Sequence, residues 1–372
     1  MKRLYREMTA LLQAGESFAV ATIFDQVGSA PRGAGAKMLV RADGSISGSV
    51  GGGRLEADAI RLAQDCLGSG RTTILSFDLA GTDAAATDMI CGGAGEILID
   101  VVDAGDDSDR QVIEAATDCL DRGKKAWLVT ILGDAANPSA LPRRRCLIRP
   151  DRTLVGKVDC DPYLIEKLIA GPAKISIHAE AFSGQRFLVE PLRPAATVYL
   201  FGAGHLSRRI APLSETVGFR AVVVDDRAEY ANRQRFPAPT EIALIDSFQK
   251  LPAMNLDENS YLVIVTRGHL HDRNVLRQVL RSPAAYIGMI GSRRKRDLVF
   301  KELAAEGFAA AELGRVFAPI GMNIGAETPE ELAVSIVGEL ISARAQREGA
   351  GKRTTNESDA ACCRLRETEQ SN

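Results

Sequence analysis

The chain has 372 residues, of which 45% are hydrophobic and 25% charged, and its formal net charge is −2. This length suits two domains of ordinary size, and the composition excludes a disordered, collagen-like or disulfide-stapled chain. The near-neutral charge and the 5% aromatic content argue against nucleic acid as a partner.

The N-terminal segment is charged and lacks the apolar run of a secretory signal. No stretch approaches the ~18 apolar residues that a membrane-spanning helix needs. We therefore expect a cytoplasmic protein without a membrane partner. Its seven cysteines show no metal-ligand spacing, so free thiols are expected rather than a disulfide framework.

The first half of the chain alternates helices with short strands. In chain order, the pattern predicts a helix over residues 2–13, a strand over 18–24, a hairpin of 37–40 with 45–47, and an amphipathic helix after Gly51-Gly-Gly53. Strands near residues 72–77 and 96–102 flank a polar loop that ends in Cys91-Gly-Gly93.

This half also contains an internal repeat. Sliding the chain against itself by 108 positions aligns residues 17–50 with 125–158, and the matches include Thr22 with Thr130 and Gly48 with Gly156. The second copy has Asp159-Cys-Asp161 where the first has Gly51-Gly-Gly53. We infer a duplicated α/β domain in which the first copy keeps a backbone-lined site and the second keeps mainly the scaffold.

The second half has the pattern of a doubly wound parallel sheet. A buried strand at 197–201 leads through Gly202-Ala-Gly204 into a helix, and further strands are predicted at 221–224, 242–245, 261–265 and 286–290. The predicted fold class is therefore α/β, with an N-terminal duplicated α/β domain over 1–190 and a Rossmann-like domain over 195–345. The polar residues 346–372 are predicted to form a disordered tail.

The strongest local motif is Gly202-x-Gly204-x-x-Ser207, which has the spacing of a dinucleotide-binding turn. The helix that follows offers free amides to a phosphate. Asp225 (or Asp226) ends the next strand, where it is placed to accept a hydrogen bond from a ribose hydroxyl. Because this fold also serves as a plain scaffold, the motif leaves open whether a nucleotide is bound.

Two glycine motifs in the first half suggest a second site. Gly51-Gly-Gly53 presents consecutive amides to an anion, and Arg32 and Lys37 are nearby candidates for cationic donors. A tight turn that only needs glycine is the alternative. The Cys91 thiol lies beside flexible backbone and suits a nucleophile, a persulfide carrier or a soft-metal ligand, whereas a buried structural cysteine is the simpler interpretation.

Histidines near the predicted parallel strands allow a different function. His269 follows the strand over 261–265, and His205 follows the glycine turn. Either side chain is a candidate proton donor of an NAD-dependent oxidoreductase, which is the alternative function. His269 and His271 could also recruit a metal, although no further histidine lies nearby, and capping of a helix by Asp272 is an equal alternative for this segment.

Eight motifs together resemble one known family. They are Gly28-Ser-Ala-Pro-Arg32, Lys37-Met-Leu-Val40, Gly48-Ser-Val-Gly-Gly-Gly53, Cys91-Gly-Gly93, Phe201-Gly-Ala-Gly-His205, Thr266-Arg-Gly-His269, the segment 286–295 and the segment 324–331. In this order they are similar to the XdhC/CoxI family, the xanthine dehydrogenase accessory proteins that act as molybdenum cofactor insertion chaperones.

The resemblance implies a function for the chain that is not that of an enzyme. It implies a chaperone that binds the molybdenum cofactor, protects it during sulfuration and inserts it into an apo-molybdoenzyme of the xanthine dehydrogenase or aldehyde oxidase class. A cysteine desulfurase is the further expected partner, and a homodimer is the expected assembly. The mono- or dinucleotide form of the molybdopterin stays open, as does a dinucleotide at the Rossmann-type turn.

The residues expected to contact the cofactor come from both halves of the chain, and Cys91 is also the expected metal ligand. They are Arg32, Lys37, Gly51, Gly52, Gly53, Cys91, Gly92, Gly93, Gly202, Gly204, His205, Asp225 and His269.

Overall fold

The structure is a computed structural model. It describes residues 1–28, 32–78, 93–134, 144–157, 162–170, 175–179 and 185–347. The chain divides into two compact units, of which the first ends at Pro194 and the second begins at Ala195. In the described ranges, no helix is long and apolar enough to cross a membrane.

The first unit contains two copies of one α/β arrangement. The first copy comprises α1 (Lys2–Gln13), β1 (Phe18–Val27), β2 (Lys37–Arg41), β3 (Ile46–Gly48), α2 (Gly53–Ser69), β4 (Thr73–Asp78) and β5 (Ala94–Val102). The second comprises α3 (Asp107–Asp121), β6 (Ala126–Asp134), β7 (Arg145–Ile148), β8 (Leu154–Gly156), α4 (Pro162–Ile169), β9 (Ser176–Ala179) and β10 (Gln185–Leu192).

The two copies have the same sheet topology. The strand orders are β3-β2-β1-β5-β4 and β8-β7-β6-β10-β9, so every element of one copy has a counterpart in the other. The hydroxyls of Thr9 and Thr117 lie 2.8 Å apart on helices α1 and α3, and these residues are 108 positions apart. A pseudo-two-fold axis therefore passes between them, and the predicted duplication is confirmed.

Alternation along the strands gives each sheet two apolar faces. In the first copy, Ala21 and Val40 belong to a cluster that packs under α2. Phe18 and Leu39 face the other way and share a cluster with Leu128 of the second copy. The inner faces of the two sheets therefore form one core along the pseudo-two-fold axis.

Two ion pairs lie within this shared core and cross from one copy to the other. The Lys37 ammonium lies 2.5 Å from the Glu190 carboxylate, with side-chain exposures of 7% and 8%. The Arg145 guanidinium lies 3.1 Å from the Asp100 carboxylate, and these side chains are 4% and 11% exposed. Each pair thus joins the second strand of one copy to the last strand of the other.

The second unit is a Rossmann-type fold. Its parallel sheet has the order β13-β12-β11-β14-β15-β16, as expected for two halves that meet at β11 and β14. Its elements are β11 (Thr197–Phe201), α5 (His205–Thr216), β12 (Arg220–Asp225), β13 (Glu241–Leu244), β14 (Ser260–Ile264), α6 (His269–Val279), β15 (Tyr286–Met289), α7 (Arg293–Ala305), α8 (Ala310–Leu313), β16 (Val316–Phe317) and α9 (Pro329–Arg347).

This architecture confirms the predicted fold class of both halves. One boundary needs correction, because α9 continues to Arg347, whereas the tail was expected to begin at residue 346. Helix α9 has basic residues, Arg344 and Arg347, in its last turn, which favours helix at its C-terminal end. Residues 348–372 lie outside the described part of the chain.

Candidate functional site

One end of the first sheet gathers the glycine-rich motifs of the first unit. Strand β1 ends at Val27, which pairs with Ala94 at the start of β5. Strand β3 ends at Gly48, which pairs with Met38 near the start of β2. Gly28 and Gly93 therefore lie side by side at the paired ends of β1 and β5. Gly48 leaves the sheet toward the same end but level with Ala21, because Met38 pairs with both Gly48 and Ala21.

The turn before α2 is built from three glycines in the left-handed region. The φ angles of Gly51, Gly52 and Gly53 are 131°, 77° and 59°, which L side chains rarely adopt. The Gly52 amide donates to Glu56 Oε2 at 3.3 Å, and the Gly51 amide donates to Ser49 Oγ at 3.1 Å. The turn thus binds an anion within its own chain, the carboxylate of Glu56.

Five of the residues predicted around this turn need separate comment. Arg32 is exposed, and Gly93 is buried next to β5. Lys37 does not face the turn, because its ammonium pairs with Glu190 and donates to Thr22 Oγ1 at 2.8 Å. This corrects its predicted role as a phosphate donor. Cys91 and Gly92 lie outside the described residues.

The glycine turn of the second unit lies where the two halves of its sheet meet. A Cβ at Gly202 would lie 2.5 Å from the Val265 carbonyl oxygen, whereas one at Gly204 would meet nothing within 4 Å. The first glycine is therefore needed for close passage of the chain, and the second leaves open space above the turn. Ser207 is fully buried, and its hydroxyl donates to the Gly202 carbonyl, which explains a serine at the third position. His205 is exposed at the start of α5.

Asp225 ends β12 as predicted, but its carboxylate faces inward. Its side chain has no exposed surface, and Oδ2 accepts from the Ala203 amide at 2.7 Å. The Arg227 guanidinium donates to both carboxylate oxygens, at 3.0 and 3.1 Å. These hydrogen bonds raise the pKa of Arg227 above its usual value. The predicted role of Asp225 as a ribose acceptor is corrected, because its oxygens already have partners.

The neighbouring carboxylate is paired as well. Arg267 donates to both oxygens of Asp226, at 2.5 and 2.9 Å. These hydrogen bonds lower the pKa of Asp226 and raise that of Arg267. Arg267 follows β14, so this pair spans the carboxyl edge of the sheet from β12 to β14, across the glycine turn of β11.

A buried pair connects two of the other motifs. The Lys295 ammonium binds the fully buried carboxylate of Asp272, whose other oxygen accepts from the Thr266 hydroxyl at 2.6 Å. A Cβ at Gly291 would lie 2.6 Å from Lys295 Cδ, so this glycine allows the lysine stem to fold back. His269 is exposed at the N-terminus of α6.

Metal-ligating side chains do not gather in the part of the chain that the structure describes. No group of three or more His, Cys, Asp or Glu side chains there could hold a metal ion. His205 and His269 belong to different helices, and the predicted metal ligand Cys91 lies outside the described ranges. The role predicted for Cys91 stays a prediction.

The sequence motifs do not show which partners the charged residues near these turns take. Glu56, Arg227 and Lys295 each lie within a few residues of a predicted glycine or acidic motif, and each occupies it with its own side chain. A signal was present for the buried ion pairs, because Asp100 interrupts the otherwise apolar strand around it. A charge at such a position needs a buried partner.

The second unit is thus a Rossmann-type domain in which arginines pair with both carboxylates at the ligand-binding edge of the sheet. Comparison with known proteins places the chain in a family. Residues 198–340 match the XdhC Rossmann domain, and residues 11–78 match the XdhC and CoxI family. The chain belongs to the XdhC/CoxI family, as the resemblance indicated.

Individual relatives match nearly the whole chain. It is 26% identical over 347 residues to a Bacillus subtilis protein named as a probable subunit of xanthine dehydrogenase, covering 92% of this chain and 98% of that protein. It is 22% identical over 349 residues to the molybdenum cofactor insertion chaperone PaoD of Escherichia coli, covering 93% of this chain and 90% of PaoD. It is also 26% identical to YqeB of Escherichia coli, in a match that covers 93% of this chain but only 47% of YqeB.

A solved structure shares the fold. A crystal structure from Bacillus halodurans, described as a xanthine dehydrogenase, superposes with a TM-score of 0.76 at 24% identity. The match covers 94% of this chain and 98% of that one.

Proposed function

We propose that this protein is an accessory chaperone that binds the molybdenum cofactor and inserts it into a molybdoenzyme of the xanthine dehydrogenase or aldehyde oxidase class. The observation that carries the proposal is the match to the insertion chaperone PaoD along 93% of the chain. Protection of the cofactor during sulfuration is part of the proposed role. The apo-molybdoenzyme and a cysteine desulfurase are the proposed partners, and a homodimer is the proposed assembly.

The glycine end of the first sheet is the proposed cofactor site. Its residues fit a phosphorylated ligand, because the turn of Gly51, Gly52 and Gly53 already binds the Glu56 carboxylate through an amide, and a phosphate is a stronger acceptor of the same kind. The exposed Arg32 would add a cationic donor. When bound, the cofactor would supply a phosphate to this turn and a dithiolene with molybdenum at its other end, for which Cys91 is the proposed ligand.

The alternative of an NAD-dependent oxidoreductase receives less support. Such an enzyme needs a cofactor site with an acceptor for the ribose, and the Asp225 carboxylate is hydrogen-bonded to Ala203 and Arg227 instead. His205 and His269 are exposed at the first residues of α5 and α6, and this exposure alone does not favour a role in hydride transfer.

The proposal is tested by the ligand that the protein carries. The full chain is co-expressed with the molybdenum cofactor pathway, purified and oxidised, and the fluorescence of the released pterin is measured per mole of protein. We expect pterin in a fixed ratio to protein. Preparations that are repeatedly free of pterin would overturn the proposal.

Matched glycine variants locate the site. Gly52 and Gly15 both have a φ of 77°, and at both a Cβ would meet nothing within 4 Å. Gly52→Ala and Gly15→Ala therefore introduce the same backbone strain, but only the first alters the anion-binding turn. We expect Gly52→Ala to lose most of the pterin and Gly15→Ala to keep it. Equal loss in both would argue for a general effect on folding.

Single side-chain variants divide the site further. Arg32→Ala is expected to lower the pterin content several-fold, because it removes the exposed cation that we propose as a phosphate donor. Arg61→Ala is its control, since Arg61 is an exposed cation on α2 that pairs with Asp58. Cys91→Ser is expected to retain the pterin and to lose delivery of the sulfurated cofactor to the client enzyme. Full delivery by Cys91→Ser would exclude a role for this thiol.

A further inference from the structure

The carboxyl edge of the second unit's sheet differs from a dinucleotide site at one corner, which is the end of β12. In Rossmann-type dinucleotide sites, an acidic residue near the end of the second strand accepts hydrogen bonds from the ribose hydroxyls. The corresponding strand here is β12, and it ends at Asp225. The residue type and position are those of a ribose acceptor, so the hydrogen bonds of this carboxylate decide whether a ribose can bind.

All of these hydrogen bonds come from within the unit. The Ala203 amide and the Arg227 Nη2 donate to Oδ2, at 2.7 and 3.1 Å. The Arg227 amide and Nε donate to Oδ1, both at 3.0 Å. The side chain of Asp225 has no exposed surface, whereas that of Arg227 is 26% exposed. The guanidinium therefore lies between the carboxylate and solvent.

Arg227 is held in this position by a second group of contacts. Its guanidinium lies 4.0 Å from the centre of the Tyr230 ring, and Arg235 lies 5.1 Å from the same ring. Arg235 in turn donates to the Ala203 carbonyl at 3.3 Å. The aromatic ring and the two cations thus form a layer attached to the glycine turn, and a ligand would have to displace Arg227 from both Tyr230 and Asp225.

The adjacent carboxylate offers no substitute. Both oxygens of Asp226 bind Arg267, and the Asp226 side chain is 11% exposed. Both carboxylates at the end of β12 are therefore paired with arginines of the same unit. The four hydrogen bonds to Asp225 use all the acceptor sites of its carboxylate, so a ribose diol finds no open acceptor at the position where a dinucleotide site has one.

We propose that Arg227 is a specificity-determining residue that closes this corner to the ribose diol of NAD(H) and of other nucleotides. The Rossmann-type unit then keeps the glycine turn of a dinucleotide fold and excludes the dinucleotide. This inference concerns only the second unit, so it stands or falls independently of the proposed cofactor site in the first.

The experiment is a gain of binding in the full chain. NADH is titrated into the unmodified protein and into Arg227→Ala, and binding is followed by nicotinamide fluorescence and by calorimetry. We expect no saturable binding to the unmodified chain and at least a tenfold gain in affinity for Arg227→Ala. Arg227→Lys keeps a positive charge but cannot bind both carboxylate oxygens at once. We expect its affinity for NADH to lie between those of the unmodified chain and of Arg227→Ala.

Two comparisons show whether the protein recognises the ribose diol of the nucleotide. Arg227→Ala should bind adenosine diphosphate better than its 2′,3′-dideoxy analogue, and adding Asp225→Asn should abolish the gain. Arg209→Ala is the control, because Arg209 is an exposed arginine of α5 that pairs with Glu330; it should gain nothing.

Several results would overturn the proposal. They are binding of NADH or NADPH by the unmodified chain as tight as that of Arg227→Ala, a folded Arg227→Ala that gains no affinity, or a gain that does not depend on the diol. If Arg227→Ala does not fold, Arg227→Lys decides in its place, and a folded Arg227→Lys without any gain would equally refute it.

Discussion

Lys37 and Arg145 occupy the same position in the two copies of the first unit, and each pairs with a carboxylate of the other copy. The strand registers show the same correspondence for the acids, since Val20 pairs with Asp100 and Leu128 pairs with Glu190. The duplication has thus kept a cation on the second strand and an anion on the last. Two copies with this pattern complement each other when related by a two-fold axis.

The Lys37–Glu190 pair should be costly to break from one side. Lys37→Met removes the cation and leaves the Glu190 carboxylate buried without its partner, for which we expect a loss of about 3–5 kcal/mol in the free energy of unfolding. The protein's single tryptophan, Trp127, lies in β6. Its fluorescence during urea unfolding therefore reports on the first unit alone.

Two further variants control this measurement. Arg152→Ala breaks a pair with Glu166 whose side chains are 56% and 55% exposed, and it should change the stability little, because solvent screens exposed ion pairs. Lys37→Met combined with Glu190→Leu removes both buried charges and should recover much of the loss. A loss for Lys37→Met as small as that for Arg152→Ala would show that the buried pair contributes little.

The sequence predicted the fold through patterns that local chemistry determines. Alternating apolar residues and glycine turns predicted the strands, and the 108-residue offset predicted the duplicated sheet. It placed Lys37 wrongly, because the partner of this lysine depends on how the two copies dock. The position of Asp225 at the end of its strand was predicted correctly. Its pairing with Arg227 was not predicted, because motif spacing does not encode the direction in which the Arg227 side chain points.

Glu56 should compete with an external anion for the turn before α2. Its carboxylate accepts from the Gly52 amide and from the Ser49 hydroxyl, the latter at 2.6 Å. Glu56→Gln removes the charge, and we expect inorganic pyrophosphate to bind about tenfold more tightly, equivalent to about 1.4 kcal/mol. Calorimetry measures the affinity. Asp58→Asn is the control, because it removes an acidic charge from the same helix outside the turn. An equal gain in pyrophosphate affinity for Asp58→Asn would mean that only the net charge matters.

Gly291 should be required for the Lys295–Asp272 pair. With a φ of 149°, it passes so close to the lysine stem that a Cβ would lie 2.6 Å from Cδ. Gly291→Ala should therefore displace Lys295, and we expect a loss of about 1–3 kcal/mol from the steric conflict. Hydrogen exchange should quicken in peptides covering α6, where Asp272 loses its cation. Gly307→Ala, at a φ of 93° with nothing within 4 Å, should leave α6 unchanged; slower or unaltered exchange in Gly291→Ala would contradict the assignment.

The Asp226–Arg267 pair should make the second unit sensitive to acid. Hydrogen bonds from Arg267 hold the pKa of Asp226 below its usual value, so its folded pKa is lower than the unfolded value of about 3.9. The stabilisation is therefore fully present above about pH 4 and is lost as the pH falls through the folded pKa. Asp226→Asn should be less stable than the unmodified protein at neutral pH, and the difference should shrink on acidification. Scanning calorimetry at a series of pH values measures the stability of both proteins, and Asp246→Asn, at an exposed residue, is the control. A stability difference between the unmodified protein and Asp226→Asn that stays constant down to acid pH would mean that the ionised pair contributes nothing.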